Sequence, residues 1–260
     1  MVGAIIGDVV GSTYEFNNIR TKDFDLLNQR ATFTDDTVCT IAIMDFLLHA
    51  TERNEKKATE YLQKWTNKYP YVGYGGRFRQ WIRSDNPKPY NSFGNGSAMR
   101  ISPIAWVVNN ENELAKLVEI VTKITHNHPE GMKGALVVAT CIFMARNGAT
   151  KEEIQLYAEK NYPIIKELKY ESLKRTYVFN ETCQGSVPQA IYCFLISNDF
   201  EDCLRTTISI GGDCDTTSAM SCAIAEAYYK NVPVFLISNA LNKLSEEMKE
   251  VLYGFNEKYR

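Results

Sequence analysis

The chain has 260 residues, 45% hydrophobic and 23% charged, which is ordinary globular composition and enough length to bury a sizeable core. Its 29 basic and 31 acidic side chains leave a net charge of −2 with no block of either sign, which argues against bulk nucleic-acid binding and attachment to an anionic membrane. No apolar run is long enough to cross a bilayer, and the N-terminal stretch meets Asp8 too early and lacks the basic start of a signal peptide, so a cytoplasmic protein, taken as a monomer, is expected.

In chain order, Ile5, Ile6, Val9 and Val10 share one helical face, which puts Asp8, Ser12 and Glu15 on the opposite face. Apolar helices are predicted over about 38–48 and about 58–65, before a loop at 70–76. The aromatic and basic run Tyr71 to Trp81 offers stacking and phosphate contacts, but a turn docked by Tyr74, Phe78 and Trp81 is the preferred reading. Ser92 to Gly96 is a glycine-rich break. Leu114, Leu117, Val118, Val121 and Ile124 define an amphipathic helix that ends at His126-Asn127-His128-Pro129, and 135–145 is apolar nearly all round and predicted to lie deep. Thr150 with Glu153 and Ser186 with Gln189 have capping-box spacing, and Phe200, Cys203, Leu204, Thr207 and Ile208 repeat the helical period. Two more helices follow Gly211-Gly212 and Ser245. No repeat or long linker interrupts the pattern, so residues 1–260 read as one all-α domain of about ten helices. Seven scattered cysteines without a C-x-x-C pair read as reduced core thiols.

Two acidic clusters carry most of the chemistry: Thr34-Asp35-Asp36-Thr37 and Asp213-Cys214-Asp215-Thr216-Thr217, each just ahead of an apolar helix. Helix N-termini stabilise ionised carboxylates, and Asp and Thr are common caps, so each cluster alone is explained by capping. Capping uses one oxygen per helix, however, and here two carboxylates and a hydroxyl are supplied twice. Brought together beside Glu15, five carboxylates would need cations to stay ionised, and an all-oxygen donor set suits Mg²⁺, Mn²⁺ or Ca²⁺. Spacing alone does not show that they meet. Gly94-Asn95-Gly96, opening a helix at Ser97, would suit a diphosphate, although taken alone an ordinary Asn-Gly turn is the readier explanation. His126, which ends an amphipathic helix, reads from the residues alone either as a ligand-binding or as a solvated or satisfied histidine, His128 either caps a helix or faces water, and His49 reads as a partner for a helix C-terminus.

Gly3 to Glu15, Phe33-Thr-Asp-Asp-Thr37, Gly94-Asn-Gly-Ser-Ala-Met-Arg100, Thr125-His126 and Gly211-Gly-Asp-Cys-Asp-Thr216 together resemble the ADP-ribosylglycohydrolase family, in the family's order and over nearly the whole chain. The resemblance implies an all-α orthogonal helical bundle with a binuclear site for two divalent cations, Mg²⁺ or Mn²⁺. It implies release of ADP-ribose from an ADP-ribosylated protein or small conjugate by cleavage at the anomeric carbon of the distal ribose. It makes Glu15, Thr34, Asp35, Asp36, Asp213, Asp215 and Thr216 the metal shell. Ser92, Phe93, Gly94, Asn95, Gly96 and His126 become the substrate side, with Phe93 available to stack on adenine. Glu15, Asp35 and Asp36 are the candidate catalytic carboxylates. Two rival readings remain: a haloacid dehalogenase-type phosphatase, because Asp213-Cys-Asp-Thr-Thr217 fits D-x-D-x-T, and a catalytically silent ADP-ribose-binding module. The first expects that motif after a hydrophobic strand in a Rossmann-like domain.

Overall fold

The computed structural model describes residues 1–260 and contains helices and loops without a strand ladder; one isolated antiparallel bridge joins Gly94 to Thr182. Fourteen α-helices follow one another: α1 Gly3–Gly11, α2 Asp35–His49, α3 Glu55–Lys68, α4 Gly76–Ile82, α5 Ile104–Val107, α6 Glu111–Lys123, α7 Pro129–Arg146, α8 Lys151–Asn161, α9 Tyr170–Thr176, α10 Cys183–Ile196, α11 Phe200–Ser209, α12 Cys214–Tyr229, α13 Val234–Lys243 and α14 Glu246–Tyr259. The starts are chemically marked. Thr34, Asn54, Asn110, Thr150, Thr182, Asp199 and Ser245 each accept a backbone N–H of the helix they precede, which satisfies donors that the helix itself leaves open.

The orthogonal bundle is built around α12, which is buried from Cys214 to Ala227 and packs against α1, α7, α10 and α11. Its residues are mostly small, so neighbouring backbones come close. Gly7 and Gly11 of α1 lie against it: a Cβ on Gly7 would sit 2.6 Å from the Ala219 nitrogen, and one on Gly11 2.5 Å from the Asp215 Cα. At the far end of α12, Glu226 accepts the Val2 and Gly3 N–H groups at 2.8 and 2.7 Å, capping α1 across the interface. One continuous core joins these helices to α2 and α7, and all seven cysteines are free and buried within the fold.

Several sequence expectations change. Asp8 is not on a solvated face but fully buried, because both sides of α1 are covered; Glu15 lies in the turn beyond α1, which stops at Gly11. Ser186 is inside α10, whose cap is Thr182, since the Thr182 hydroxyl is the one that reaches the Gly185 N–H. Ser97 ends a short 3₁₀ turn, Asn95–Ser97, rather than opening an α-helix. The helix count exceeds ten because short helices such as α4, α5 and α9, together with α13, lack a long periodic signature. The Thr150–Glu153 capping box forms in both directions, and Tyr74, Phe78 and Trp81 are buried, although Phe78 and Trp81 dock from helix α4 rather than from a turn.

Candidate active site

The two acidic clusters meet. Thr34 caps α2 and places Asp35 and Asp36 in its first turn, while Gly211 and Gly212, with φ of 72° and 80°, turn the chain so that Asp213 stands immediately before α12 and Asp215 in its first turn. These left-handed conformations cost glycine, which has no Cβ, least. The Thr216 hydroxyl donates to Asp36 Oδ2 at 3.1 Å across 180 positions of sequence. Capping does not account for the carboxylates: on α2 the cap is the Thr34 hydroxyl, and Asp213 makes no side-chain cap. Asp213 instead accepts from Asn95 Nδ2 at 2.7 Å, which ties the glycine-rich loop to the second cluster.

Asp8 is a sixth carboxylate that sequence reasoning left outside the site. It accepts the Thr34 N–H at 3.0 Å, the Thr34 hydroxyl at 2.7 Å and the Thr37 N–H at 3.0 Å, and it also pairs with the Thr37 hydroxyl. It thereby fixes the start of α2 against α1. The available signal was a carboxylate flanked by Ile5, Ile6, Val9 and Val10. One oxygen from each of Asp8, Asp36 and Asp215 falls within 4.8 Å of the others, and the same holds for Glu15, Asp213 and Asp215.

Electrostatics make this cluster unstable on its own. Burial, and then the neighbouring carboxylates, push Asp35, Asp36 and Asp215 well above the ordinary range; burial raises Asp8; Glu15 is lifted to about 8 and Asp213 to about 6. Asp36 Oδ1 is buried with no hydrogen-bond partner. A crowded, oxygen-only donor set with an orphaned carboxylate oxygen fits hard divalent cations.

Both clusters open into a cavity of about 540 Å³, large enough for a dinucleotide-sized ligand, which is also lined by Ser92, Phe93, Gly94, Asn95, Gly96 and His126. Thr34 does not line it; its hydroxyl is engaged by Asp8. The loop is held by the residues flanking Thr182: the Asn95 N–H donates to Glu181 O at 2.8 Å and the Cys183 N–H to Phe93 O at 2.9 Å. Phe93 is half-exposed, with its ring 5.2 Å from that of His128, whose Nδ1 accepts the Glu130 N–H and so caps α7. His49 pairs with Asp45 at 2.7 Å in the last turn of α2, away from the site.

His126 is buried and held well below its usual pKa by desolvation and by the Arg100 charge, so it is neutral. Arg100 Nη2 donates to Thr125 Oγ1 at 2.8 Å, and that oxygen lies 2.7 Å from His126 Nδ1, against 3.4 Å from the Thr122 carbonyl. With the arginine occupying one lone pair, the threonine proton goes to Nδ1, leaving Nε2–H as a donor. Nε2 faces Gly94 and Gly96, where a Cβ would be 3.6 and 3.5 Å away.

Comparison with known proteins follows the same lines. The ADP-ribosylglycohydrolase family profile matches residues 1–257. The chain belongs to that family. Among curated members, ADP-ribosylhydrolase ARH3 of Mus musculus is 25% identical over 99% of this chain and 87% of its own length, and ARH3 of Homo sapiens is 27% identical over 88% and 84%. ADP-ribosyl-[dinitrogen reductase] glycohydrolase of Rhodospirillum rubrum is 24% identical over 95% of this chain and 91% of its own. A solved structure titled ADP-ribosylglycohydrolase-related protein complex has the same fold, with a TM-score of 0.74 at 22% identity, covering 100% of this chain and 96% of that one.

Membership makes this protein a glycosidase-type hydrolase of ADP-ribosylated substrates, in a family that is metal-dependent. The phosphatase reading falls, because Asp213 to Thr217 begins a helix and no strand precedes it. No helix is long and apolar enough to cross a membrane.

Proposed function

We propose that residues 1–260 form one domain that hydrolyses the bond between the anomeric carbon of the distal ribose and its substituent, on ADP-ribosylated protein or a small conjugate, with two Mg²⁺ or Mn²⁺ ions. The observation that carries this reading is the meeting of the Asp35-Asp36 and Asp213-Asp215 pairs in one cavity with the Gly94–Gly96 loop. Glu15, Asp35, Asp36, Asp213, Asp215 and Thr216 are assigned as the cation-holding groups, with Thr34 and Asp8 behind them. Bound there, the cations neutralise the cluster and supply Lewis acidity toward ribose hydroxyls and water.

The remaining steps belong to the chain. The backbone at Gly94 and Gly96, which carry no side chain, leaves room for the diphosphate, and the His126 Nε2–H donates to it. Phe93 offers a ring face to the adenine. That leaves the distal ribose at the acidic end, where Glu15, Asp35 and Asp36 are the carboxylates that orient the attacking water and accept its proton. Gly96→Val is expected to weaken ADP-ribose binding about 10-fold or more by filling the space before His126 Nε2, read by calorimetry on the folded variant. Unchanged affinity would reduce the loop to a turn. Turnover of an ADP-ribosylated peptide, as opposed to retention of ADP-ribose alone, separates this reading from a silent binding module.

A stability measurement tests the cations without activity. Because the folded protein holds Glu15 near 8, against an ordinary 4.5, and Asp213 near 6, against 3.8, it binds protons more tightly than the unfolded chain between those limits. The cation-free protein therefore loses stability as pH rises from about 4 to about 8. Saturating Mn²⁺ is expected to raise Tm by about 5–10 °C near pH 8 and far less near pH 5, in line with about 2.7 kcal/mol at a hundredfold excess over Kd. An equal shift at both pH values would contradict carboxylate binding.

A further inference from the structure

Phe16 and Phe179 come from segments 163 positions apart, yet their rings lie 6.2 Å apart at an interplanar angle of 22°, and both line the cavity. Neither is buried: Phe16 is 80% exposed and Phe179 45%. A phenylalanine that exposed is placed against the hydrophobic effect, and two of them face to face at a cavity rim offer a ready apolar platform.

The fold anchors both to the acidic end of the cavity. Phe16 directly follows Glu15. Two residues later, the Asn18 side-chain amide donates to the Glu15 and Gly212 carbonyls, each at 2.9 Å, and accepts the Gly212 N–H at 2.7 Å. The second segment is tied to the same corner. Arg20 donates to the Tyr177 carbonyl at 2.9 Å and also to the Ile210 carbonyl, while the Tyr177 ring packs directly on Gly212. The Gly211-Gly212 turn that delivers Asp213 and Asp215 therefore also sets the positions of Phe16 and Phe179. Phe93, in contrast, belongs to the glycine-rich loop beside His128.

We propose that Phe16 and Phe179 form the subsite for the leaving group, the part of the substrate beyond the scissile bond, and that they favour a flat or cationic group such as a guanidinium or an aryl ring. The proposal rests on the reading of the cavity above: with the nucleotide at the Phe93–His126 end and the distal ribose among the carboxylates, the substituent on the anomeric carbon leaves past Glu15 and the paired rings. Ring faces attract flat and cationic groups. A compact hydroxyl-linked acceptor gains less from such a surface. The two rings thus determine specificity without touching the reacting bond.

The test uses the full chain with Mn²⁺ and two conjugates of ADP-ribose, one linked to a guanidino group and one to an aliphatic hydroxyl. Phe16→Ala and Phe179→Ala are each expected to raise KM for the guanidino conjugate about 3- to 10-fold, to change the hydroxyl conjugate less than about 2-fold, and to leave calorimetric affinity for free ADP-ribose within about 2-fold of the parent. Both residues are exposed, so the variants should keep the parent's thermal transition. A parallel loss of ADP-ribose affinity would place the rings on the nucleotide and overturn the proposal, as would unchanged KM for both conjugates. If the parent protein cleaves neither conjugate while binding ADP-ribose, the hydrolase reading fails first, and the subsite falls with it.

Discussion

Replacing Asp36 and Asp215 together by asparagine is expected to abolish hydrolysis while leaving the helical spectrum intact. The two residues stand on helices joined by the Thr216–Asp36 hydrogen bond, and Asp36 contributes a buried oxygen without a partner. The substitution keeps volume and removes two formal charges from a site where six carboxylates are crowded, so the cation-free fold should be at least as stable as the parent. Cation binding should be lost, seen as absence of Mn²⁺ heat in a calorimetric titration and absence of the Mn²⁺-dependent rise in Tm. Activity should fall by about 10²–10³-fold or more, the scale on which removal of preorganised electrostatic groups acts. Exhaustive EDTA treatment of the parent should have the same effect, reversed by Mg²⁺ or Mn²⁺. Full activity in the double variant, or in EDTA, would overturn the cation-holding role of both clusters.

Gly7→Val should be among the most damaging substitutions far from any substrate. The new Cβ would lie 2.6 Å from the Ala219 nitrogen and closer still to the Ser218 carbonyl, both backbone atoms of a helix that is buried on every side. Neither can move aside as a flexible side chain would, so α1 must lift away from α12. That movement opens the core and drags Asp8 from Thr34 and Thr37, which dismantles the start of α2. We expect a cost of about 3–5 kcal/mol and a fall in Tm of about 10 °C or more, with loss of Mn²⁺ binding. Gly254→Ala is the control: the nearest atom is Leu48 Cδ1 at 3.8 Å, in the middle of α14, and exchange should stabilise by up to about 1 kcal/mol. A Tm for Gly7→Val within about 2 °C of the parent would mean that the two helices are not in the close contact described here.

Local features were legible before any fold was known. Helical periodicity over Leu114 to Ile124, the capping pair Thr150 and Glu153, and two acid-rich runs ahead of apolar helices all follow from neighbours within a few turns, and each was legible. The five-block resemblance supplied the family and a site at Glu15, Asp35, Asp36, Asp213 and Asp215 that spacing alone could not join. Short elements escaped because α4 and α5 offer too few residues to show a period, and Ser186 misled because a capping spacing inside a helix looks the same as one at its start.

Features that depend on the approach of separate segments emerge with packing. Asp8 reads as the polar side of an amphipathic helix until α2 and α12 close over it. The neutral state of His126 depends on its burial and on Arg100, the direction of its proton on the Arg100–Thr125 contact, and the Phe16–Phe179 pair on two loops pinned to one glycine corner. The physical reason is common to all three. Burial and charge proximity are properties of the packed molecule, and a carboxylate, an imidazole or an exposed ring takes its chemical character from neighbours on other segments that the fold brings up, Arg100 for His126 and Phe179 for Phe16.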